Sequence, residues 1–359
     1  MRSVRLRKFP LAASAVTAIV SLAVTLPSAQ ASSHGAADSG RGGSGQACSQ
    51  YANITGFSDE LDKTVFDGVP VSELSGLTHD TNGDLVAVDD GSYLFTLDPR
   101  TLEPIAVQHL AYPDGTILDS EAVAVDRDGT RLVTDETQPS IQRFSRSGDI
   151  VGSLPVPDAL RVKPAGRAGV NLTFEGLALL PGGHTLVASM EGALSGDGAS
   201  VRRIQTWQRA DDTDGFRLGP QYAFQADAGL NISDITSTGD GRLLVLERGY
   251  TPNVGNTVRL YVADLRHASD VHGVTDVPDD QPGVRYAAKA LVADIGLCPS
   301  LGATAKQTQP NPLLDNIEGV TVTGRQHDGR LGLLLVSDDN ENPVQVTRLY
   351  TLNARLPRV

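Results

Sequence analysis

The residues best suited to chemistry in this 359-residue chain are carboxylates that recur at matched places in a repeated motif. Glu121, Glu175 and Glu318 each open a short apolar run, and Asp135, Glu191, Glu247 and Asp338 each close the run that follows. Carboxylate and amide oxygens without His or Cys form a hard-donor set, which suits Ca²⁺ first and Mg²⁺ or Mn²⁺ second. If these acids meet at one place they cannot all stay ionised without counter-charge, so some must protonate or bind cations. Glu121, Asp135, Glu175, Glu191, Glu318, Asp338 and Asp339 are therefore assigned as metal ligands, with Asp89, Asp90 and Asn340 as further donors. Glu247 is the carboxylate expected to act on water.

Basic and amide groups flank the acids. Arg248 directly follows Glu247, Asn171 lies four residues before Glu175, and Asn316 two before Glu318. Lys163 and Arg167 occupy the segment leading to Asn171. A guanidinium beside metal-binding carboxylates is what a small anionic ester needs, because Arg meets phosphate oxygens in a bidentate way. The expected catalytic set is Glu247, Arg248, Asn171 and Asn316, and the expected substrate-binding set is Arg248, Lys163 and Arg167. Signatures of other chemistries are missing: there is no Gly-x-Ser-x-Gly elbow and no His-Glu-x-x-His. Residues 40–45 match a dinucleotide fingerprint formally, but no strand precedes them and no helix follows, so no nucleotide or redox cofactor is expected.

The elements that must position these groups are hairpins. Five segments superimpose, starting at Ser75, Glu121, Glu175, Ser233 and Glu318. Each is a short run rich in Val, Leu and Ile, a Gly-containing turn, and a second such run ending in an acid. The turns beginning at Asp80 and Asp126 resemble the start of an EF-hand loop, but the bidentate Glu is absent at the proper distance, and they read as turns. Counting outward from a three-residue loop at 127–129 pairs Glu121 with Asp135. The same count pairs Ser75 with Asp89 and Ser233 with Glu247, and brings Glu175 to Met190 and Glu191 and Glu318 to Asp338. The copies start 46, 54, 58 and 85 residues apart, and the first three intervals suit one four-stranded propeller blade each. The last interval is long enough for two, with residues 283–296 supplying a degenerate blade. The expected fold is all-β: a β-propeller of six blades of antiparallel strands, closed by residues near Cys48.

Thirty basic against 43 acidic residues give a net charge of −13. Residues 1–31 carry basic residues, an uncharged apolar stretch and Ala29-Gln30-Ala31, and read as a signal peptide. Its removal leaves 26 basic against 43 acidic residues, a balance of −17. That excess argues against nucleic acid as a partner, since duplex binding needs basic counter-charge. Residues 32–47 are a flexible Gly/Ser-rich tail and residues 48–359 the folded domain, a monomer with no membrane span after cleavage. Cys48 and Cys298 are the two cysteines, and export predicts one disulfide between them.

The run from Asn171 to Ala178, Ser189-Met190-Glu191, Leu246-Glu247-Arg248, the run from Asp315 to Gly319, and the run from Ser337 to Asn340 together resemble the phytase-like family. That family is also called "esterase-like activity of phytase". The resemblance covers about residues 50–355 with its motifs in order. It implies a secreted bacterial β-propeller with recurrent acids and a phosphoric-ester or esterase activity. The matching positions are Asn171, Glu175, Glu191, Glu247, Arg248, Asn316, Glu318, Asp338 and Asp339, whereas Ser75 and Ser233 stand where the other copies carry Glu. The expected function is a secreted, extracellular, Ca²⁺-dependent hydrolase of phosphate esters. A lactonase or carboxyl-esterase using the same metal site is its chemical neighbour. From another class comes a non-catalytic Ca²⁺-stabilised propeller that binds a partner or a polysaccharide.

Overall fold

The computed structural model of the chain describes residues 46–212 and 214–359; the expected signal peptide and nearly all of the expected tail lie outside the described residues. A strand β1 (Ala52–Ser58) comes first, then a small hairpin of β2 (Val65–Phe66) and β3 (Val69–Pro70). Blade one is β4 (Leu74–His79), β5 (Leu85–Asp89), β6 (Tyr93–Leu97) and β7 (Pro104–His109). Blade two is β8 (Val123–Val125), β9 (Arg131–Asp135), β10 (Ser140–Phe144) and β11 (Ile150–Ser153). Blade three is β12 (Phe174–Leu179), β13 (Thr185–Met190), β14 (Val201–Gln208) and β15 (Arg217–Gln225). Blade four is β16 (Asn231–Ser237), β17 (Leu243–Thr251), β18 (Gly255–Asp264) and β19 (Ala288–Asp294). Blade five is β20 (Asn316–Arg325), β21 (Leu331–Asp338) and β22 (Leu349–Ala354), with β1 added antiparallel to β22 as its outermost strand.

The first strand of each blade faces the axis. Around the ring β4 touches β8, β8 touches β12, β12 touches β16, β16 touches β20, and β20 returns to β4. The second strands read as unbroken apolar runs because both of their faces are covered. In β5, Leu85 and Ala87 join the core shared with blade five, while Val86 and Val88 join the core shared with blade two. In β21, Leu333 and Leu335 pack toward blade four and Leu334 and Val336 toward blade one. Strand alternation sends successive side chains to opposite neighbours, so one run builds two interfaces.

The propeller has five blades, not six. Residues 283–296 do not form a blade of their own; β19 pairs with β18 and completes blade four. The 85-residue interval is filled instead by the 265–287 excursion and by the segment between β19 and β20. That excursion is anchored on blade three, with Val271 and Val277 packed on Val201 and Ala223. Closure does come from the N-terminal end, as expected: Cys48, just before β1, is disulfide-bonded to Cys298, just after β19. The bond ties the outer edge of blade five to blade four. The EF-hand-like segments are turns, with Gly129 at φ 82° and its N–H donating to the Asp126 carbonyl. Their acids hold the next blade: Asp80 meets Arg131 at 2.6 Å, and Asp126 accepts from Arg209 at 2.6 and 2.8 Å, all buried.

The inner strands approach so closely that three of them need glycine. A Cβ on Gly176 would stand 2.6 Å from the backbone nitrogen of Ile235 in β16, and one on Gly319 would stand 2.6 Å from the Ser75 carbonyl in β4. Backbone cannot give way there, and overpacking of this kind costs about 2 kcal/mol. Gly176→Ala is therefore expected to lower unfolding free energy by about that amount in urea titration, and a neutral result would show that the strands separate easily. Replacing both Cys48 and Cys298 by Ser should cost about 5 kcal/mol in the same assay, because the bond closes a loop of 250 residues.

Candidate functional site

Each inner strand is interrupted at the motif residue. In blade one Leu74 pairs with Asp89 and Gly76 with Val88, so Ser75 is an extra, bulged residue. The same bulge falls at Glu175 between Phe174↔Met190 and Gly176↔Ser189, at Ser233 between Ile232↔Glu247 and Asp234↔Leu246, and at Glu318 between Ile317↔Ser337 and Gly319↔Val336. In blade two the regular ladder stops at Val123↔Val133. There the Thr134 hydroxyl accepts from the Ala122 N–H at 2.8 Å, and the Glu136 N–H donates to the Asp119 carbonyl at 2.9 Å.

The bulge corrects the expected register. Simple counting paired Ser75 with Asp89, Glu121 with Asp135, and Ser233 with Glu247. In blades one and four one extra residue shifts the partner by one, and a one-residue shift in a strand turns the side chain to the other face; in blade two the ladder ends before Glu121. The cavity at this end is lined by Asp90, Glu136, Glu191, Arg248 and Asp338, together with Glu121 and the bulged Glu175 and Glu318. It has a volume of about 500 Å³ and also meets Asn171, Tyr250, Asn256, Gln307 and Asn316. Seven carboxylates and one guanidinium thus share one mouth.

Several expected site residues lie elsewhere. Asp135 accepts from the Tyr112 hydroxyl at 2.6 Å and from the Gln138 N–H at 3.2 Å. Glu247 is enclosed, accepting from Lys289 Nζ at 2.6 Å and the Asp227 N–H at 2.8 Å, which removes it from the role expected for it on water. Asp339 pairs with Lys63 and accepts from the Glu73 N–H at 3.1 Å. Lys163 is exposed on its loop and does not line the cavity. Arg167 donates to the Ser195 carbonyl at 2.9 Å, pairs with Asp276 at 2.5 Å, and lines a different cavity on blade three. Sequence reading missed Glu136, Asp119, Tyr250, Asn256 and Gln307. For Glu136 a signal existed: it follows Asp135 just as Asp90 follows Asp89 and Arg248 follows Glu247.

The mouth is strongly electronegative and internally braced. Asn316 Nδ2 donates to Glu318 Oε1 and to Asp338 Oδ2, both at 3.0 Å. Asn231 Nδ2 donates to Glu191 Oε1 at 3.1 Å while its own Oδ1 accepts from Arg202 at 2.7 Å. Glu136 accepts from the Thr173 N–H at 2.9 Å, and the Ser75 hydroxyl donates to Asp90 at 2.7 Å. Arg248 meets Glu318 at 2.6 Å, and its buried Nε has no partner. Burial first, and neighbouring carboxylates second, push Glu121 and Glu175 well above the usual carboxylate range; Asp338 is raised by the same causes. Burial is also the main cause at Asp90, raised to about 8, and at Glu136, raised to about 7.

The donor geometry fits hard cations. Carboxylate oxygens of Asp90, Asp119 and Glu121 lie within 4.8 Å of one another, and so do those of Glu121, Glu136 and Glu175. Oxygens 2.3–2.6 Å from a shared Ca²⁺ stand at most about 5 Å apart. Glu121 belongs to both groups.

A protein of Arthroderma benhamiae named as an uncharacterized secreted protein is 24% identical over 231 residues, 51% of this chain and 45% of that relative, so the match spans less than half of the relative's length. Among solved structures the chain is similar to a gluconolactonase from Xanthomonas campestris, with 14% identity, 81% of this chain and 74% of that one covered, and a TM-score of 0.43. It is also similar to an inactive virginiamycin B lyase from Staphylococcus aureus held with quinupristin, with 12% identity, coverage of 80% and 68%, and a TM-score of 0.38. The model of one family matches residues 69–341, most of the propeller, and the chain belongs to that family, Phytase-like, "Esterase-like activity of phytase".

Proposed function

We propose that this protein is an exported, Ca²⁺-dependent hydrolase that cleaves phosphate esters in the acidic mouth. The observation that carries the reading is the pair of three-carboxylate groups sharing Glu121, set in the same cavity as Arg248. Asp90, Asp119, Glu121, Glu136 and Glu175 would hold the cation, with Glu318 and Asp338 completing the negative wall. Bound Ca²⁺ would supply positive charge to the ester and make a water more acidic. Arg248, already oriented by Glu318, offers its remaining N–H groups to phosphoryl oxygens. Glu191, held by Asn231 and outside both carboxylate groups, takes the role of orienting water that Glu247 cannot fill. Export is supported by the disulfide and by the secreted relative, and no helix among the described residues is long and apolar enough to cross a membrane.

The test is a panel of phosphomonoester, phosphodiester and carboxyl-ester substrates with Ca²⁺ and with EDTA. Phosphate-ester turnover with Ca²⁺ that chelation abolishes is expected. Absence of turnover under every metal condition would sink the hydrolase reading and leave the binding propeller. Glu121→Gln should remove the Ca²⁺-induced rise in Tm and lower kcat/KM about 100-fold, since one residue serves both groups.

The raised carboxylates also set a pH dependence. Asp89 and Glu136 are lifted to about 7 and Asp90 to about 8, chiefly by burial. Between the ordinary carboxylate value and these, the folded chain holds protons that the unfolded chain has released. Their contribution to stability is therefore complete below about pH 4 and lost as pH rises through about 7 to 8. Metal-free protein should melt at a lower temperature near pH 8.5 than near pH 5.5, and Ca²⁺ should restore Tm at the higher pH. Thermal melts in EDTA that rise with pH across this window would contradict it.

A further inference from the structure

Blade four breaks the symmetry of the mouth. Where the other blades present carboxylates, it presents Arg248 and, further along the same hairpin, Tyr250 and Asn256. The β17–β18 hairpin continues beyond Arg248, with Tyr250 paired to Asn256 and Thr251 to Gly255. Asn256 lines the cavity, is 1% exposed, and neither Nδ2 nor Oδ1 has a hydrogen-bond partner. A buried amide left unsatisfied is costly, and few native groups tolerate it without a purpose.

The position of this amide is fixed. The Asn256 N–H donates to Gln309 Oε1 at 2.8 Å. A Cβ on Gly255 would stand 2.6 Å from the Thr308 carbonyl, so the hairpin tip lies directly on the 307–309 segment. Gln307 of that segment also faces the cavity. Beside the amide is Tyr250, which lines the cavity while remaining 54% exposed. An orphaned amide offers one acceptor and two donors side by side, and a half-exposed aromatic ring offers a flat apolar face.

We propose that Asn256 and Tyr250 form a recognition subsite for a vicinal diol of a saccharide, placing a sugar-bearing ester against Arg248. Oδ1 accepts from one hydroxyl, Nδ2 donates to its neighbour, and the Tyr250 ring covers the C–H face of the sugar. This assignment rests on the hydrolase reading only for its turnover assay; binding of the diol is a separate property.

The probes are D-glucose 6-phosphate, which carries vicinal hydroxyls, and phenyl phosphate, which carries none. Asn256→Leu should lower the ratio of kcat/KM for glucose 6-phosphate to that for phenyl phosphate about tenfold, chiefly through KM. Tyr250→Ala, a change at an exposed position, should shift the ratio in the same direction. An unchanged ratio in both variants overturns the subsite. Because the amide has no partner in the protein, Asn256→Leu should keep or raise Tm; a clear fall would show a structural bond and also overturn it. If the wild type cleaves neither ester, saturation-transfer NMR with glucose 6-phosphate reads the subsite directly, and the hydrolase reading is judged separately by the full substrate panel. A signal in the wild type that Asn256→Leu removes supports the diol site. Equal signals in both proteins, or no signal in the wild type, reject it.

Discussion

Close approach of five inner strands around one axis is the constraint from which the other features of this propeller follow. Five strands enclose less space than six, and at Gly76, Gly176 and Gly319 the neighbouring backbone leaves no room for a Cβ. The residue before each of these glycines is bulged out of its ladder. A bulge re-aims a side chain at the rim of a sheet, and here it turns the motif residue toward the mouth. Fold closure and site construction are thus two results of one packing arrangement.

Blade four answers the same constraint differently. Asp234 occupies the glycine position, and its carboxylate accepts from the N–H of Ile235 at 2.7 Å and of Val320 in blade five at 2.8 Å. This buried acid joins two inner strands by hydrogen bonds where the others meet by bare contact. Blade four also carries Ser233 in place of a bulged Glu and Arg248 in place of a closing acid. The mouth is therefore lopsided: a wall of carboxylates faces a wall of guanidinium and amide. Such an arrangement can place a cation and an anionic group side by side, which a uniform ring of acids could not do.

The hairpins were legible in the sequence because they depend on local pattern. Runs such as Leu85–Asp89 and Leu243–Leu246 are buried on both faces, and a Gly lies in each intervening turn, so each of the five copies falls on the first two strands of a blade. The number of blades was less legible. An interval of 85 residues is compatible with either an extra blade or a long excursion, and the pairing of β19 with β18 and the packing of Val271 and Val277 on blade three distinguish them. Glu121, Glu175, Glu191, Glu318, Asp338, Arg248, Asn171 and Asn316 line one cavity, at the end of the hairpins that the repeat marks. Glu247 does not, because counting along two strands assumes that neither contains an extra residue, and Asp135 does not, because it accepts from the Tyr112 hydroxyl beyond the end of the blade-two ladder.

The sequence by itself determined the strand pattern, the repeat, the pairing of Cys48 with Cys298 and the end of the hairpins at which the acids gather. Each of these depends on residue type and short-range spacing. Tertiary structure alone decided which member of each acidic pair faces the cavity, because the bulges arise where neighbouring blades press together. It likewise decided that Asn256 and Tyr250 belong to the site, since their place depends on the length of one hairpin and on the 307–309 segment beneath its tip. No spacing rule connects that amide to carboxylates contributed by four other blades; only closure of the ring does.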